Sequence, residues 1–442
     1  MAVRLALACL AGLASMHASA LDLKEAWELL QAQGPTYRAA VHERDAGLEN
    51  RAIGRAGLLP QLSASASRSR VDGTREQNNI ENDLDYDAQA YIVRLRQPLY
   101  NREKFAEYRQ GKQRADYSEA VFDATTQQVA VTLAGRYFDV LLARETIDLA
   151  TAKLKAFEQQ VAATQRRFDL GDGTITDVDQ ATARRDLAQA ELIEAQDHQV
   201  VALRRLQEII GQVPENLATL RQDFPTPLLQ PASLQDWLSQ AKANNPSLRA
   251  QQFNHGLAAE EVNRAKSGHW PTLDLVLGYT DSDSDSVSTI DQQNRYASAG
   301  VELSMPLYAG GGVSARVRQA VASREQAGEE LNATREEVLS ATTREFRGVQ
   351  SGETRIRALE RAVASSERAQ DSARKSFLAG SSTNLDILNA EEQVYIARRD
   401  LLEAKLRYLQ ARLQLAAAVG LLGEDDILQA NTYLGPALAL DD

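Results

Sequence analysis

At 442 residues the chain is long enough for two or three ordinary domains. Its formal net charge of −12 and pI of about 5.1 leave no basic excess for a nucleic-acid partner. Aromatic residues are only 6% of the chain, Ala, Leu, Gln, Glu and Arg dominate, and no run of about 18 apolar residues occurs. This composition suits long helices with narrow seams and excludes a membrane-spanning helix.

The chain opens with a segment built for export. Arg4 supplies a positive start, Leu5 to Ala14 a short apolar core, and Ala18-Ser19-Ala20 an A-x-A site. Residues 1–20 are therefore predicted to be a signal peptide cleaved after Ala20. Cys9 lies inside it, but Ala6 stands where a lipoprotein signal needs a Leu-like residue, so lipidation is not expected. The mature chain then has no cysteine, which removes disulfide and thiol chemistry.

From residue 21 to 214 the predicted elements are a short helix up to Pro35, a second helix, strands at about 61–70 and 88–98, and long helices at about 101–168 and 174–211. No proline falls between Pro98 and Pro214. Residues 101–168 would make a helix of roughly 100 Å at 1.5 Å per residue, a length that normally requires coiled-coil packing. Val129, Leu133, Tyr137, Val140 and Leu141 step by three and four along it, as a seam requires. The joint "PENLATLRQDFPTPLLQPAS" carries four of the eleven prolines, and residues 215–232 read as a linker.

Residues 233–420 repeat this order, with strands at about 271–281 and 295–306 and long helices at about 313–378 and 383–420. Pro35 and Pro246 are 211 positions apart, Pro60 and Pro271 also 211, Pro98 and Pro306 208, and Gly171 and Gly380 209. So constant an offset marks an internal tandem repeat. The tail, 421–442, lacks strong periodicity and is expected to be flexible.

The strand segments alternate. Leu273, Leu275, Leu277 and Tyr279 share one face, opposite Thr272, Asp274, Gly278 and Thr280. Val301, Leu303 and Met305 oppose Glu302 and Ser304; Tyr91, Val93 and Leu95 oppose Ile92, Arg94 and Arg96. Segments of about ten residues with this pattern match membrane β-strands. Tyr91, Tyr100, Trp270, Tyr279, Tyr296 and Tyr308 lie at or near their ends, where an interfacial belt would sit. The apolar faces, with Leu273, Leu275, Leu277, Val301, Leu303 and Met305, are predicted to meet lipid. Four strands cannot close a barrel alone, and lipid does not tolerate open edges. An obligate oligomer is the expected consequence.

"AKSGHWPTLDLVLGY", "VELSMPLYAGGG" and the paired turns "FDLGDGTITDVDQA" and "FLAGSSTNLDILNA" complete the pattern. On these segments and the repeat, the whole mature chain resembles the TolC family of outer-membrane channel proteins. The resemblance implies a mainly α fold with membrane β: a homotrimer in which four strands per chain close a shared twelve-stranded β-barrel above a long coiled-coil-like α-helical barrel in the periplasm. It implies a periplasmic adaptor and an inner-membrane transporter as partners, with outer-membrane lipid around the strands. The absence of a lipobox favours type I secretion with an ABC transporter; drug or metal efflux on the same fold, and a non-channel coiled-coil scaffold, are the alternatives.

The paired turns would be the periplasmic tips. Each uses glycine (Gly171, Gly380) for a tight reversal and a Thr-x-x-Asp capping box to restart a helix: Thr174 with Asp177, Thr383 with Asp386. The residues themselves allow a purely capping role for the aspartates. The resemblance adds that Asp386 rings the tunnel mouth and favours cations, with Asn389 where a second aspartate is usual. It also places Phe377 and Ser382 where a tyrosine and an arginine can hold the mouth closed.

No catalytic, cofactor or metal set emerges. Asp281 to Asn294 lacks the glycine and glutamate of a calcium loop, and both it and Val71 to Asp85 read as solvated loops. The histidines lack ligand spacing. The "GDG" and "AGGG" segments have no following lysine-serine for a phosphate cradle; "AGGG" reads as a strand-to-helix hinge.

Overall fold

The computed structural model describes residues 21–214, 216–221, 223–284 and 292–439. The signal segment with its site at Ala20, and the centre of the calcium-like loop, lie outside the described residues. In chain order the elements are α1 (Leu23–Gln33), α2 (Pro35–Leu48), α3 (Asn50–Ala56), β1 (Gln61–Gln77), β2 (Ile80–Tyr100), α4 (Arg102–Asp169), α5 (Ile175–Ile210), β3 (Asn216–Leu220), α6 (Leu234–Asn244), α7 (Pro246–Ser267), β4 (Thr272–Ser284), β5 (Gln292–Ser304), α8 (Gly312–Leu378), α9 (Asn384–Ala418), α10 (Glu424–Asn431) and β6 (Leu434–Ala439). Pro35 and Pro246 each open a helix, where a missing N–H costs nothing and the fixed φ suits the first turn.

Two compact units form, and they cut across the tandem repeat. One holds the chain through His42 with Asp123–Pro246 and everything from Glu336; the other holds Glu43–Phe122 with Ser247–Arg335. The repeats are therefore units of sequence, while each unit of packing joins equivalent parts of both.

In the second unit the strands form one antiparallel sheet in the order β1-β2-β4-β5. Its register collects Leu62, Ala64, Val93, Leu95, Leu273, Leu275, Leu277, Tyr279, Val301 and Leu303 on one face. Ser63, Arg94, Arg96, Asp274, Gly278, Ser298 and Glu302 occupy the other. On that polar face Arg96 reaches the buried Asp274 at 2.6 Å, which matches the charge of a carboxylate that could not otherwise be buried cheaply. Within the chain β1 and β5 each have one unpaired edge. Val301, Leu303 and Met305 are exposed, Met305 lying just past the end of β5. Gly310 and Gly311, both at positive φ, make the hinge into α8.

Val71 to Asp85 is not a loop. β1 and β2 continue through it to a two-residue turn at Asn78-Asn79, with φ of 54° and 61°. Asparagine tolerates that left-handed conformation, and a turn of this kind matches strand twist. Cross-strand pairs Arg70–Asp85 (2.9 Å) and Arg68–Asp87 (3.2 Å) zip the ribbon.

In the first unit, Leu133, Tyr137, Val140 and Leu141 of the expected seam are buried with Leu206 and Ile210 of α5, Tyr408, Leu409 and Leu413 of α9, and Leu23, Trp27 and Leu30 of α1. Two further expectations are corrected here. The linker contains β3, and the tail contains α10 and β6, which pairs antiparallel with β3. The tail is held because it completes a clasp around the start of the chain. Leu21 bridges to Leu217, with its N–H donating to Asn216 at 2.9 Å. Asn431 accepts from the Leu23 N–H at 3.0 Å and donates to Asp22 at 2.8 Å. The Tyr137 hydroxyl lies 2.9 Å from the Leu21 carbonyl and 3.1 Å from that of Ala218. Burial raises the Tyr137 phenol far above its usual pKa, so it stays a donor.

Candidate functional site at the helical tips

The two tips are built alike. At the end of α4 the Gly171 N–H donates to Phe168 (3.0 Å) and Asp172 to Arg167 (2.9 Å); at the end of α8 the Gly380 N–H donates to Phe377 (2.9 Å) and Ser381 to Ser376 (2.9 Å). Gly171 and Gly380 take φ of 85° and 74°, a conformation costly for any residue with a Cβ. Thr174 and Thr383 then cap α5 and α9 in full capping boxes with Asp177 and Asp386. This geometry supplies partners for N–H groups that a helix start otherwise leaves open.

The tips differ around the aspartates. Asp386 Oδ2 accepts from the Thr383 N–H (2.8 Å), the Thr383 hydroxyl (2.7 Å) and the Ser382 hydroxyl (2.8 Å). These bonds, led by the one from the Thr383 backbone, hold its carboxyl below the usual carboxylate range. Ser382 thus serves Asp386 and not the opposite hairpin.

Contacts between the hairpins come from other residues. Arg167 lies over the Phe377 ring at 4.6 Å. Gln160 donates to Asn384, Arg184 donates to Asn389 at 3.1 Å, and Arg184 also pairs with Glu392. Lys153, nearly buried, meets Glu191 at 2.7 Å and Glu392 at 3.7 Å. Phe157, Ala188 and Leu388 form a fully buried node among these polar groups. Within the second hairpin, Glu391 of α9 takes Arg374 of α8 at 2.6 Å. One nitrogen of Asn384 and one oxygen of Glu391 are buried with no hydrogen-bond partner among the described residues; each such group costs about 1–3 kcal/mol.

Of the expected site residues, Phe377 and Asn389 reach the other hairpin, while Gly171, Thr174, Asp177, Gly380, Ser382, Thr383 and Asp386 shape their own turns. Arg167, Arg184, Lys153, Gln160 and Glu392 were not expected. Arg184 and Glu392 stand 208 positions apart, one short of the offset between the tip glycines. Opposite charges at near-equivalent turns of the two repeats were the available signal. Among the described residues no cluster has the makings of a metal site.

A sheet with one apolar face and open edges, joined in sequence to capped helical hairpins, defines a subunit of an outer-membrane channel for export. Comparison with known proteins agrees. The family model "Outer membrane efflux protein" matches residues 27–212 and 237–421, and the chain belongs to that family. It is 36% identical over 416 residues to the alkaline protease secretion protein AprF of Pseudomonas aeruginosa, covering 93% of this chain and 86% of that one. It is 35% identical over 427 residues to the proteases secretion protein PrtF of Dickeya chrysanthemi, covering 95% and 92%. Outer membrane protein TolC of Escherichia coli is 28% identical over 436 residues, covering 96% and 87%. Among solved structures, VceC from Vibrio cholerae superposes with a TM-score of 0.77 at 20% identity, covering 90% of this chain and 96% of that one. The two matched segments correspond to the tandem repeat. The protein is an outer-membrane component of a tripartite export system, working with an adaptor and an inner-membrane transporter.

Proposed function

We propose that the chain forms a passive homotrimeric duct for type I protein secretion, has no enzymatic activity, and receives its substrate from an ABC transporter through a periplasmic adaptor. The open-edged, two-faced sheet carries the trimer: an unclosed edge in lipid costs several kcal/mol per unsatisfied backbone group, and three copies supply a closed ring. Similarity along nearly the whole chain to two protease-secretion proteins supports the secretion assignment. Leu273, Leu275, Leu277, Val301, Leu303 and Met305 face lipid. Asp386 presents charge at the mouth, while Arg167 on Phe377 and Arg184 on Asn389 and Glu392 latch the hairpins in the closed state. A stack and hydrogen bonds replace the polar links expected of a tyrosine and an arginine.

Light scattering of the detergent-extracted protein should give a trimer, and planar bilayers should show discrete channels. Co-expression with an ABC transporter, its adaptor and a protease substrate should restore secretion to a strain lacking its own duct. Restored drug resistance without secretion would overturn the substrate assignment and leave the duct. A stable inserted monomer would overturn the duct.

A further inference from the structure

At the helix-side end of the sheet, Arg102 opens α4 two positions after β2, and Trp270 lies two positions before β4. These strands are neighbours. The Arg102 guanidinium sits 4.3 Å from the centre of the indole ring, and it has no carboxylate partner among the described residues. Trp270 is 46% exposed, and beyond β5 Leu307 and Tyr308 are 90% and 89% exposed. These residues lie at the helix-side end of the sheet, just outside the strand ends that carry Leu273 and Leu303.

Charge divides the two ends of the sheet. Arg55, Arg102, Lys104 and Lys266 lie within about six residues beyond the helix-side strand ends, against Glu103, while just inside them Asp274 and Glu302 lie near Arg96. At the far end Arg68, Arg70 and Arg295 are each matched by an aspartate, and Asp72, Asp83 and Asp283 remain in excess. A guanidinium placed over an indole by cation–π attraction has N–H groups to spare, a shape suited to a phosphate. A tryptophan with one apolar side and one wet side belongs at the headgroup level.

We propose that Arg102 stacked on Trp270 is a headgroup clamp that binds the phosphate of an anionic phospholipid in the leaflet adjoining the helices. This rests on the membrane-spanning assignment of the sheet. The occupant is lipid because the clamp sits at the end of the spanning strands, where headgroups would lie, and carries the complementary charge.

The test uses full-length mature protein reconstituted in phosphatidylcholine vesicles with or without phosphatidylglycerol. Acyl chains brominated near the headgroup should quench a component of the fluorescence that is missing in Trp270→Phe. Native mass spectrometry should show that Arg102→Gln retains about tenfold less phosphatidylglycerol relative to phosphatidylcholine, the worth of one charge-assisted hydrogen bond. Arg102→Lys should fall between, keeping the charge and losing the forked N–H edge. An unchanged preference in Arg102→Gln, with Trp270 still quenched, overturns the clamp and leaves the spanning sheet standing. Absence of quenching assignable to Trp270 in inserted protein also overturns it. Failure of wild-type protein to insert overturns the spanning assignment and the clamp together.

Discussion

Phe377 and Arg167 join the two hairpins through a contact that needs no hydrogen bond. A phenylalanine accepts no hydrogen bond, yet its ring face attracts a guanidinium at 4.6 Å. At a partly exposed site this is worth about 0.5–1 kcal/mol. Phe377→Leu and Arg167→Ala should each raise channel open probability in planar bilayers by a few-fold. The double variant should add little, since both remove one interaction; full additivity would separate the two residues. Asp386 gives a second prediction. Its folded pKa is lowered, so its capping bonds are complete above the ordinary carboxylate range and are lost as pH falls through the depressed folded value. The Thr383 amide, which donates to it, should stay protected from exchange at pH values where free aspartates are already protonating. Asp386→Asn should weaken block by multivalent cations and cation selectivity with little change in trimer stability. Unaltered selectivity with a destabilised trimer would make Asp386 a cap alone.

At the scale of elements, the two faces of the sheet can be tested directly. Leu275→Arg should cost about 2–4 kcal/mol if it meets the bilayer midplane, and impair insertion. Glu302→Gln, on the polar face, should insert normally. The reverse outcome in a heat-modifiability assay would mean the faces are exchanged. The long helices were legible because uninterrupted seams leave no other structure available to so many proline-free residues. Strand length was not legible above Arg68 and Asp87, because both faces there turn polar and only the cross-strand ion pairs reveal the ribbon. β3 and β6 were hidden for another reason. Asn216–Leu220 lies among prolines, β6 itself contains Pro436, and neither has a pattern until it meets the other. At the tips the capping boxes could be read from four consecutive residues. The partners of Phe377 and Asn389 could not, since they depend on the rotation of one hairpin against its neighbour.

At the scale of the molecule, duplication has been put to unequal use. The repeats share prolines, glycines and caps, but packing sorts them into a unit with the four-stranded sheet, α3, α7 and the first parts of α4 and α8, and a unit with the rest of the long hairpins and the β3–β6 clasp. The clasp should matter to the whole of the latter. Asn431→Ala removes bonds to both Asp22 and the Leu23 backbone. It should cost about 1–3 kcal/mol, read as a lower urea midpoint. A midpoint equal to wild type would show that the β3–β6 pairing alone secures the tail.

The bond from Leu23 to Asn431 spans 408 positions, and that from Asn431 to Asp22 spans 409. Asp22 and Leu23 thus meet Asn431 in the same small cluster. Closure of so long a loop is slow, and it cannot begin before the last segment is synthesised and has crossed the inner membrane. Until then the apolar residues of α1 lack their α10 neighbours, and β3 lacks β6. The newly translocated polypeptide should therefore expose apolar surface that a holdase could cover, and its vulnerability to proteolysis should end when the carboxy-terminal segment arrives. A chain stalled short of α10 should be degraded even though its long helices, strands and tip caps are all present in sequence.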